Sequence, residues 1–439
     1  MRRYTLKVLK VFAATFLLFV IYLNISLTDL VSDPIPWGDD YRQGWPHPPL
    51  SFSGKRVHDH NVNSSSRDEG LPIYPSISRY SEDRIVNQIH FVSQDVQEKQ
   101  QRGESIPLKK ILVESGRSSW KLPAGQELFV QQNCSTQACE LTDYRHATQN
   151  ADVVVFTDTL FLKSYPRSPD QIWALFMLES PLYTPDFRSY RSAFNWTATY
   201  RHDSTIVTPY EKFVPLNPSL LTRTPTRNYA AGKRRKVAWF VSNCYALNNR
   251  MEYARELGQY IQVDVYGDCG TFQCSRHQSD ECFNMLNRDY KFYLSFENSN
   301  CRDYITEKFF INGLKNDVVP IVMGAAPEDY KRAAPPHSFI HVDYFQSPKH
   351  LAAYLHQLDH NDSLYNEYFA WKGLWDNINT YFWCRVCALA HDTKSRGVSW
   401  YRDVETWWRG GDVCIEKSWR EVPSVQEQIA DLAVTLRRG

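Results

Sequence analysis

Apolar and polar positions along the 439-residue chain fall into three regimes. Residues 11–28, "VFAATFLLFVIYLNISLT", form one uncharged apolar run. From 29 to 105 the chain is polar, with turn-rich pieces such as "DPIPWG" and "NVNSSSRDEG" and no sustained core pattern. Beyond 106, apolar runs alternate with helical stretches. "KKILVES" (109–115), "ADVVVF" (151–156), "ALFMLES" (174–180) and "STIVTPY" (204–210) come first. After the Pro/Thr/Asn-rich "PLNPSLLTRTPTRNYAAGKRR" follow "KVAWFVSN" (236–243), "IQVDVYG" (261–267), "YKFYLSF" (290–296) and "VVPIVMG" (318–324). Continuous apolar runs separated by helices predict strands of buried parallel sheets, hence two α/β units in tandem joined by a linker.

Charge refines the first regime. Arg2, Arg3, Lys7 and Lys10 precede the apolar run, which at eighteen residues just spans a bilayer core. No small-x-small cleavage site follows it. The expectation is a cytoplasmic tail (1–10), a transmembrane signal-anchor (11–28) and a stem (29–105) holding a lumenal body, as in a type II membrane protein. Ile85, Ile89, Val92 and Val96 repeat at spacings of four, three and four. They predict a short amphipathic helix lying on the body; the alternative is a stem-mediated homodimer.

Composition narrows the partners. Formal net charge is +1, with no long basic run outside the N-terminus and "GKRRK" (232–236), so nucleic acid is not favoured. The aromatic fraction of 14% suits either a large core or a sugar-binding surface. Ten cysteines, all beyond the apolar run, fit an oxidising lumen. "CRVC" (384–387) with His391 and Cys414 has a zinc site's ligand count, but disulfides are the better reading there. "HQLDH" (356–360) lacks the Glu that a zincin requires. Glycosylation candidates are Asn63, Asn133, Asn195 and Asn361; Asn24 lies too close to the membrane.

Three stretches carry candidate chemistry. "FENSNCRDYITEKFF" (296–310) joins a predicted strand to a predicted helix, where ligands sit in open parallel sheets. Asp303 is expected to cap that helix, with Ile305, Phe309 and Gly313 on its packing stripe. Tyr304, Glu307 and Lys308 are expected within one turn on another face, suited to a nucleotide diphosphate with Lys on the phosphates. In "WFVSNCYALNNRMEYARELGQYIQVDVYGDCG", a βαβ unit without G-x-G-x-x-G, Asn243 and Tyr266 end strands, and Arg250 is a candidate phosphate clamp. In "ALFMLESPLYTPDF", Glu179 follows a strand against bulky apolar neighbours and is a candidate general base.

Together these stretches resemble the α-1,3-fucosyltransferase family of inverting, GDP-fucose-dependent glycosyltransferases, over roughly residues 106–390. The aromatic-Glu-Asn and Tyr-Ile-Thr-Glu-Lys elements from Phe296 to Lys308 match its signature, "FNWTATYRHDS" (194–204) its Asn-Trp-Thr segment, and "ESP" (179–181) its acceptor motif. The resemblance implies two facing Rossmann-like domains of GT-B type. An acceptor-side domain (106–225) and a GDP-fucose-binding domain (226–375) would precede a C-terminal cystine-containing segment (376–439). It implies Glu179 as base and Arg250, Asn298, Tyr304, Glu307 and Lys308 on the donor; Asn243 and Tyr266, at the ends of their strands, are expected to join the donor site, and Tyr183 and Arg201 the acceptor side. Tyr183 stands where many members carry His, and His202-Asp203-Ser204-Thr205 departs from their Arg-Asp-Ser-Asp; both put the acceptor's identity in question. The chain has no D-x-D triplet, so no essential cofactor is expected, with Mn²⁺ at most stimulatory. The expected enzyme is a Golgi α-1,3-fucosyltransferase acting on GlcNAc of glycoprotein glycans. "YFWCRVCALAHD…WWRGGDVC" resembles invertebrate members and suggests the N-glycan core GlcNAc. Antenna GlcNAc, another nucleotide sugar, or an inactive Golgi sugar-binding protein of the same fold are the alternatives.

Overall fold

The computed structural model describes residues 72–75, 84–143, 149–157, 167–274, 279–393 and 400–422. The predicted tail and anchor, Asn24, Asn63 and the stem up to residue 71 lie outside them. Among the described residues no helix is long and apolar enough to cross a membrane.

Six strands form the first sheet: β1 (Lys109–Val113), β2 (Cys139–Thr142), β3 (Val153–Phe156), β4 (Ile172–Met177), β5 (Trp196–Thr199) and β6 (Ile206–Val207). Their order is β2-β1-β3-β4-β5-β6, parallel throughout. The chain then passes β7 (Phe213–Pro215) and enters a second sheet. This comprises β8 (Arg235–Phe240), β9 (Val263–Tyr266), β10 (Tyr290–Phe296), β12 (Val319–Met323) and β13 (Ile340–His341), with β11 (Asn300–Cys301) in the loop after β10. Its order, β13-β12-β10-β8-β9, is again all parallel. The fold is α/β with two doubly wound parallel sheets, consistent with GT-B. Every residue of β4, β10 and β12 is buried, which is why those strands read as largely apolar runs, with buried Lys291 and Ser295 the polar positions of β10. β2 was not expected from the sequence, because as an edge strand it alternates buried and half-buried positions in "CELT".

Returning from the second sheet, the chain forms β14 (Trp375–Asn377), antiparallel to β7, so both crossings between the sheets run side by side. The described part of the C-terminal segment is not an appendage. Trp383, Val386 and Leu389, on the helix Phe382–Ala390, pack with Ile111, Val113, Val155 and Phe176 on one face of the first sheet. Val404 and Trp408, on the helix Val404–Arg409, pack with Leu112, Val154, Leu175 and Met177 on its other face. β15 (Cys414–Ile415) then pairs antiparallel with β11.

All ten cysteines are in disulfides. Cys134–Cys384 and Cys139–Cys387 staple the helix Phe382–Ala390 to the first sheet across separations of 250 and 248 residues. Cys244–Cys269 and Cys274–Cys282 are local, and Cys301–Cys414 closes β11 on β15. Cys139, Cys387 and His391 do converge within 4.8 Å, but the two sulfurs share one cystine.

The predicted amphipathic stripe does lie on the body, as the helices Arg84–His90 and Gln94–Arg102, so the body begins before the expected stem boundary at 105. Arg84 Nη2 donates to the carbonyls of His202 and Ser204, and Gln88 Nε2 to those of Ile73 and Thr205. Ile85 and Val96 are buried there, and Ile89 and Val92 are half-buried. Asn195, expected as a glycosylation candidate, is fully buried, its Oδ1 accepting from the Trp173 backbone N–H at 2.8 Å, a placement that leaves no room for a glycan in the folded chain. Asn133 and Asn361 are exposed.

Replacing Cys301 and Cys414 together by Ser should lower unfolding stability by about 2–4 kcal/mol, because the cystine closes a long loop of the unfolded chain. Chemical denaturation of the folded variant measures it, and an unchanged midpoint would contradict that role.

Candidate active site

The second sheet has a topological switch point. Numbered from its own first strand, the order is 2-1-3-4-5, so connections leave in opposite directions from β8 and β10 and open a crevice at their carboxyl ends. Arg250, first residue of the helix Arg250–Leu257, spans that point. It is buried; Nη1 donates to the Phe296 carbonyl and Nη2 to the Asn243 carbonyl, both at 2.8 Å. Its guanidinium therefore sews the ends of β8 and β10 together, while Nε has no hydrogen bond among the described residues. Asn243 itself is exposed at the end of β8, its side chain accepting from the Tyr245 N–H. Asn248, not singled out in the sequence, is buried beside it and donates to the Glu297 carbonyl and to Asn300 Oδ1, both at 3.0 Å.

The segment after β10 is built around a buried carboxylate. Glu297 is fully buried; it accepts from Thr306 N–H at 2.7 Å and from Thr306 Oγ1 at 2.8 Å. Lys308 Nζ lies 3.3 Å from it, and 3.0 Å from both Glu307 Oε1 and Thr306 Oγ1. Burial pushes Glu297 up from the ordinary carboxylate range, opposed by the Lys308 charge and the Thr306 bonds. Against its own burial, Lys308 is held above the usual ammonium range by Glu297 and Glu307. Gly324, at φ 151°, leaves the room this requires: a Cβ there would fall 2.6 Å from Glu297 Cγ.

The helix begins later than the sequence suggested. Asp303 is left-handed at φ 59° and does not cap it; Thr306 does, accepting from the Lys308 N–H. Tyr304 thus precedes the helix and does not share a face with Glu307 and Lys308. Ile305, Phe309 and Gly313 do pack inward, Gly313 with no room for a Cβ beside Pro320 and Ser295. The Asp303 carboxylate instead joins the two sheets, accepting from the His202 backbone N–H at 3.1 Å and from Arg332 at 2.9 Å and pairing with the His202 ring.

From the first sheet, β4 ends into Glu179. The expectation of apolar neighbours is not met. Its Oε1 accepts from the Tyr304 hydroxyl at 2.7 Å, Asn298 Nδ2 at 3.3 Å and the Ser180 N–H at 2.7 Å. Oε2 has no hydrogen bond among the described residues. Beside it, the buried hydroxyls of Ser180 and Ser299 meet at 2.8 Å. Tyr183 stands exposed two residues beyond Pro181.

Two predicted site residues do not reach the crevice. Tyr266 is a core residue whose hydroxyl bonds the Tyr290 hydroxyl at 2.8 Å, because its strand position turns it beneath the sheet. Arg201 is buried in a chelate with Asp203 (2.9 and 2.6 Å) and lies over the Trp407 ring at 4.4 Å, where it ties the C-terminal segment to β5. Conversely, Trp408 and Arg409 support the acceptor-motif loop without having been expected there. Trp408 Nε1 donates to Thr184 Oγ1 at 2.8 Å, and Arg409 to the carbonyls of Pro181, Thr184 and Pro185. The "WWRGGDVC" run was the only sign of them.

Two facing parallel sheets, with a carboxylate from one aimed at a cationic crevice in the other, are the arrangement of a nucleotide-sugar transferase. The chain belongs to glycosyltransferase family 10, the fucosyltransferases: residues 109–211 match the family's "Fucosyltransferase, N-terminal" profile and 230–407 its "Glycosyltransferase family 10 (fucosyltransferase) C-term" profile. Over 373 residues it is 47% identical to glycoprotein 3-alpha-L-fucosyltransferase A of Drosophila melanogaster, covering 84% of this chain and 73% of that one. Alpha-(1,3)-fucosyltransferase C of the same organism is 34% identical, with 67% and 75% covered. A crystal structure of an alpha1,3-fucosyltransferase with GDP-fucose superposes with a TM-score of 0.42 at 18% identity, covering 67% of this chain and 93% of that one.

Glu297→Leu should cost about 3 kcal/mol of stability, since it leaves Lys308 without its main counter-charge and the Thr306 N–H without an acceptor. Thermal unfolding measures the loss; a melting point equal to wild type would show that the pair carries no such weight.

Proposed function

We propose that the protein transfers L-fucose from GDP-β-L-fucose to the 3-hydroxyl of a GlcNAc on glycoprotein glycans, with inversion, and that its acceptor is the N-glycan core GlcNAc. The observation that carries this is Glu179: a carboxylate at the end of β4, half-buried, held on one oxygen by the donor-side segment and open on the other. In the reaction the acceptor oxygen bonds to fucose C1 as the C1–phosphate bond breaks. The acceptor proton passes to Glu179, and GDP leaves with the bonding electrons. The geometry matches the base half of inverting glycosyl chemistry, in which a carboxylate serves the attacking oxygen. Arg250 and Lys308 supply positive charge for the departing diphosphate, and Asn243, Asn298 and Glu307 line the same crevice for the nucleotide sugar. Each cation lies within electrostatic reach of the other, as one diphosphate requires.

A glycoprotein acceptor is supported by the Drosophila relative at 47% identity, which is named a glycoprotein 3-alpha-L-fucosyltransferase. Exposed Leu182 and Tyr183, projecting beside Glu179, offer an apolar and aromatic surface to an acceptor sugar. The cationic flank and apolar run at the N-terminus support a type II Golgi anchor with the body in the lumen. Five disulfides are in keeping with that compartment.

Assaying the purified chain with GDP-fucose against core and antenna glycans tests the reading, with and without Mn²⁺. Core transfer alone is expected, and Glu179→Gln should reduce kcat by about 10²–10⁴-fold while GDP-fucose still binds. Transfer only to antennae would move the acceptor assignment. Undiminished turnover by Glu179→Gln would remove the base, and donor binding without transfer to any acceptor would indicate a sugar-binding protein. When the chain is made in a secretory host, peptide mapping should find Asn195 unmodified, because its amide is buried in the β4–β5 packing; a glycan on Asn195 would contradict that placement.

A further inference from the structure

We propose that Arg409 is a positioning residue for the acceptor: from the C-terminal segment it sets the shape of the loop Pro181–Pro185, so that Leu182 and Tyr183 meet the sugar bearing the attacking hydroxyl. This rests on the reading of Glu179 as the base, since the loop continues directly from it. The loop holds itself poorly, because Pro181 and Pro185 have no N–H to donate. Within it, the Tyr183 N–H donates to the Ser180 carbonyl at 3.0 Å and Thr184 Oγ1 to the Pro181 carbonyl at 3.2 Å. The carbonyls of Thr184 and Pro185 receive no donor from the loop, and one guanidinium serves both of them and Pro181 as well. Arg409 Nε donates to Pro181 at 2.8 Å, and Nη2 to Thr184 at 2.6 Å and Pro185 at 2.7 Å. Nη2 also lies 2.9 Å from Thr184 Oγ1, which accepts from Trp408 Nε1 at 2.8 Å.

The guanidinium is itself anchored. Nη1 donates at 2.7 Å to Glu405 Oε2, one turn earlier on the same helix, and that oxygen accepts from the Phe187 N–H at 2.8 Å. One ion pair thus grips the chain at both ends of the loop, while Trp408 beside it is fully buried and packs on Tyr200 at a centroid distance of 5.6 Å. Pro181 is buried, yet Leu182 and Tyr183 at the tip stay 43% and 41% exposed. An apolar and an aromatic side chain next to the base suit the C–H face of a pyranose ring. Every hydrogen bond of Arg409 among the described residues goes to this loop or to Glu405, and none to the second sheet. Its effect therefore falls on the acceptor and not on the nucleotide sugar.

The test is Arg409→Gln in the full chain, assayed with GDP-fucose against core and antenna glycans. Expected is a rise of about tenfold in KM for the glycan, with kcat within about threefold and KM for GDP-fucose within about twofold of wild type, because the loop is misplaced and the donor crevice is not. Arg409→Lys keeps the charge without the planar fork and should recover only part of the glycan affinity. Tyr183→Ala should raise KM for the glycan too, and by a smaller factor in the Arg409→Gln background, since a contact already displaced has less to lose. An equal fall in kcat for both glycans with KM unchanged would mark a merely structural residue and overturn the proposal. So would a raised KM for GDP-fucose, or effects of Arg409→Gln and Tyr183→Ala that simply multiply. Should Arg409→Gln fail to fold, Arg409→Lys combined with Tyr183→Ala makes the same comparison. If Glu179→Gln leaves turnover intact, it is the base assignment that fails; if Glu179→Gln is crippled and Arg409→Gln keeps the wild-type KM for the glycan, only the positioning role fails.

Discussion

One carboxylate oxygen is shared between the two halves of this molecule. Glu179 leaves β4 of the first sheet, yet two of the three hydrogen bonds on its Oε1 come from Asn298 and Tyr304 in the loop after β10 of the second. Neither sheet alone specifies where that group points. A carboxylate held in this way ties the two halves together, and the surrounding structure adds further contacts at the same boundary. Ser180 and Ser299 meet hydroxyl to hydroxyl in a fully buried contact. Asp303 grips the His202 backbone and ring and is itself held by Arg332. The two chain crossings lie paired as β7 and β14. Each device would be unremarkable on a surface; here all of them bear on the same boundary.

Charge in the crevice is arranged by the same logic. Arg250 uses both terminal nitrogens on backbone carbonyls at the ends of adjacent strands, so its position follows from the sheet and not from any ligand. Lys308 is flanked by Glu297 and Glu307, which keep it protonated despite burial. A cation fixed before a diphosphate arrives has less reorganisation to undergo when charge develops on the leaving group. Burying Glu297 is costly, and Thr306 and Lys308 offset that cost together. The acidic residue inside "FENS" is accordingly a structural anchor for the cation, whereas the Glu307 side chain stays 45% exposed.

Much of the scaffold was legible because buried parallel strands write themselves as largely apolar runs: β3, β10 and β12 lie within runs seen in the sequence, and β4 and β8 overlap theirs but begin slightly earlier, at Ile172 and Arg235. The crevice at the end of β10 followed from the general placement of ligands in open sheets. What local pattern could not supply was long-range pairing. The partner of Cys301 lies 113 residues away in Cys414, and no spacing within "FENSNCRDYITEKFF" encodes it. Helical periodicity placed Tyr304 beside Glu307 and Lys308, but the left-handed turn at Asp303 delays the helix and sends Tyr304 across the cleft. Tyr266 was assigned to a ligand from its strand-end position and Arg201 from its motif; their hydrogen bonds with Tyr290 and Asp203 show packing roles that only the folded neighbours define.

The C-terminal segment shows why such neighbours matter for chemistry as well as for stability. Its helix Phe382–Ala390 is cross-linked twice to the first sheet, and its helix Val404–Arg409 covers the opposite face. From the second helix, Arg409 and Trp408 bond four groups of the loop Pro181–Pro185, which carries Tyr183 and continues directly from Glu179. β15 follows at once and, through Cys414, reaches the loop that bears Asn298 and Tyr304. A single stretch of chain, 404–415, therefore touches the loop after β4 at one end and the loop after β10 at the other. The geometry of Glu179 is held from outside the two α/β units by the segment that a reading of the units alone would have left off.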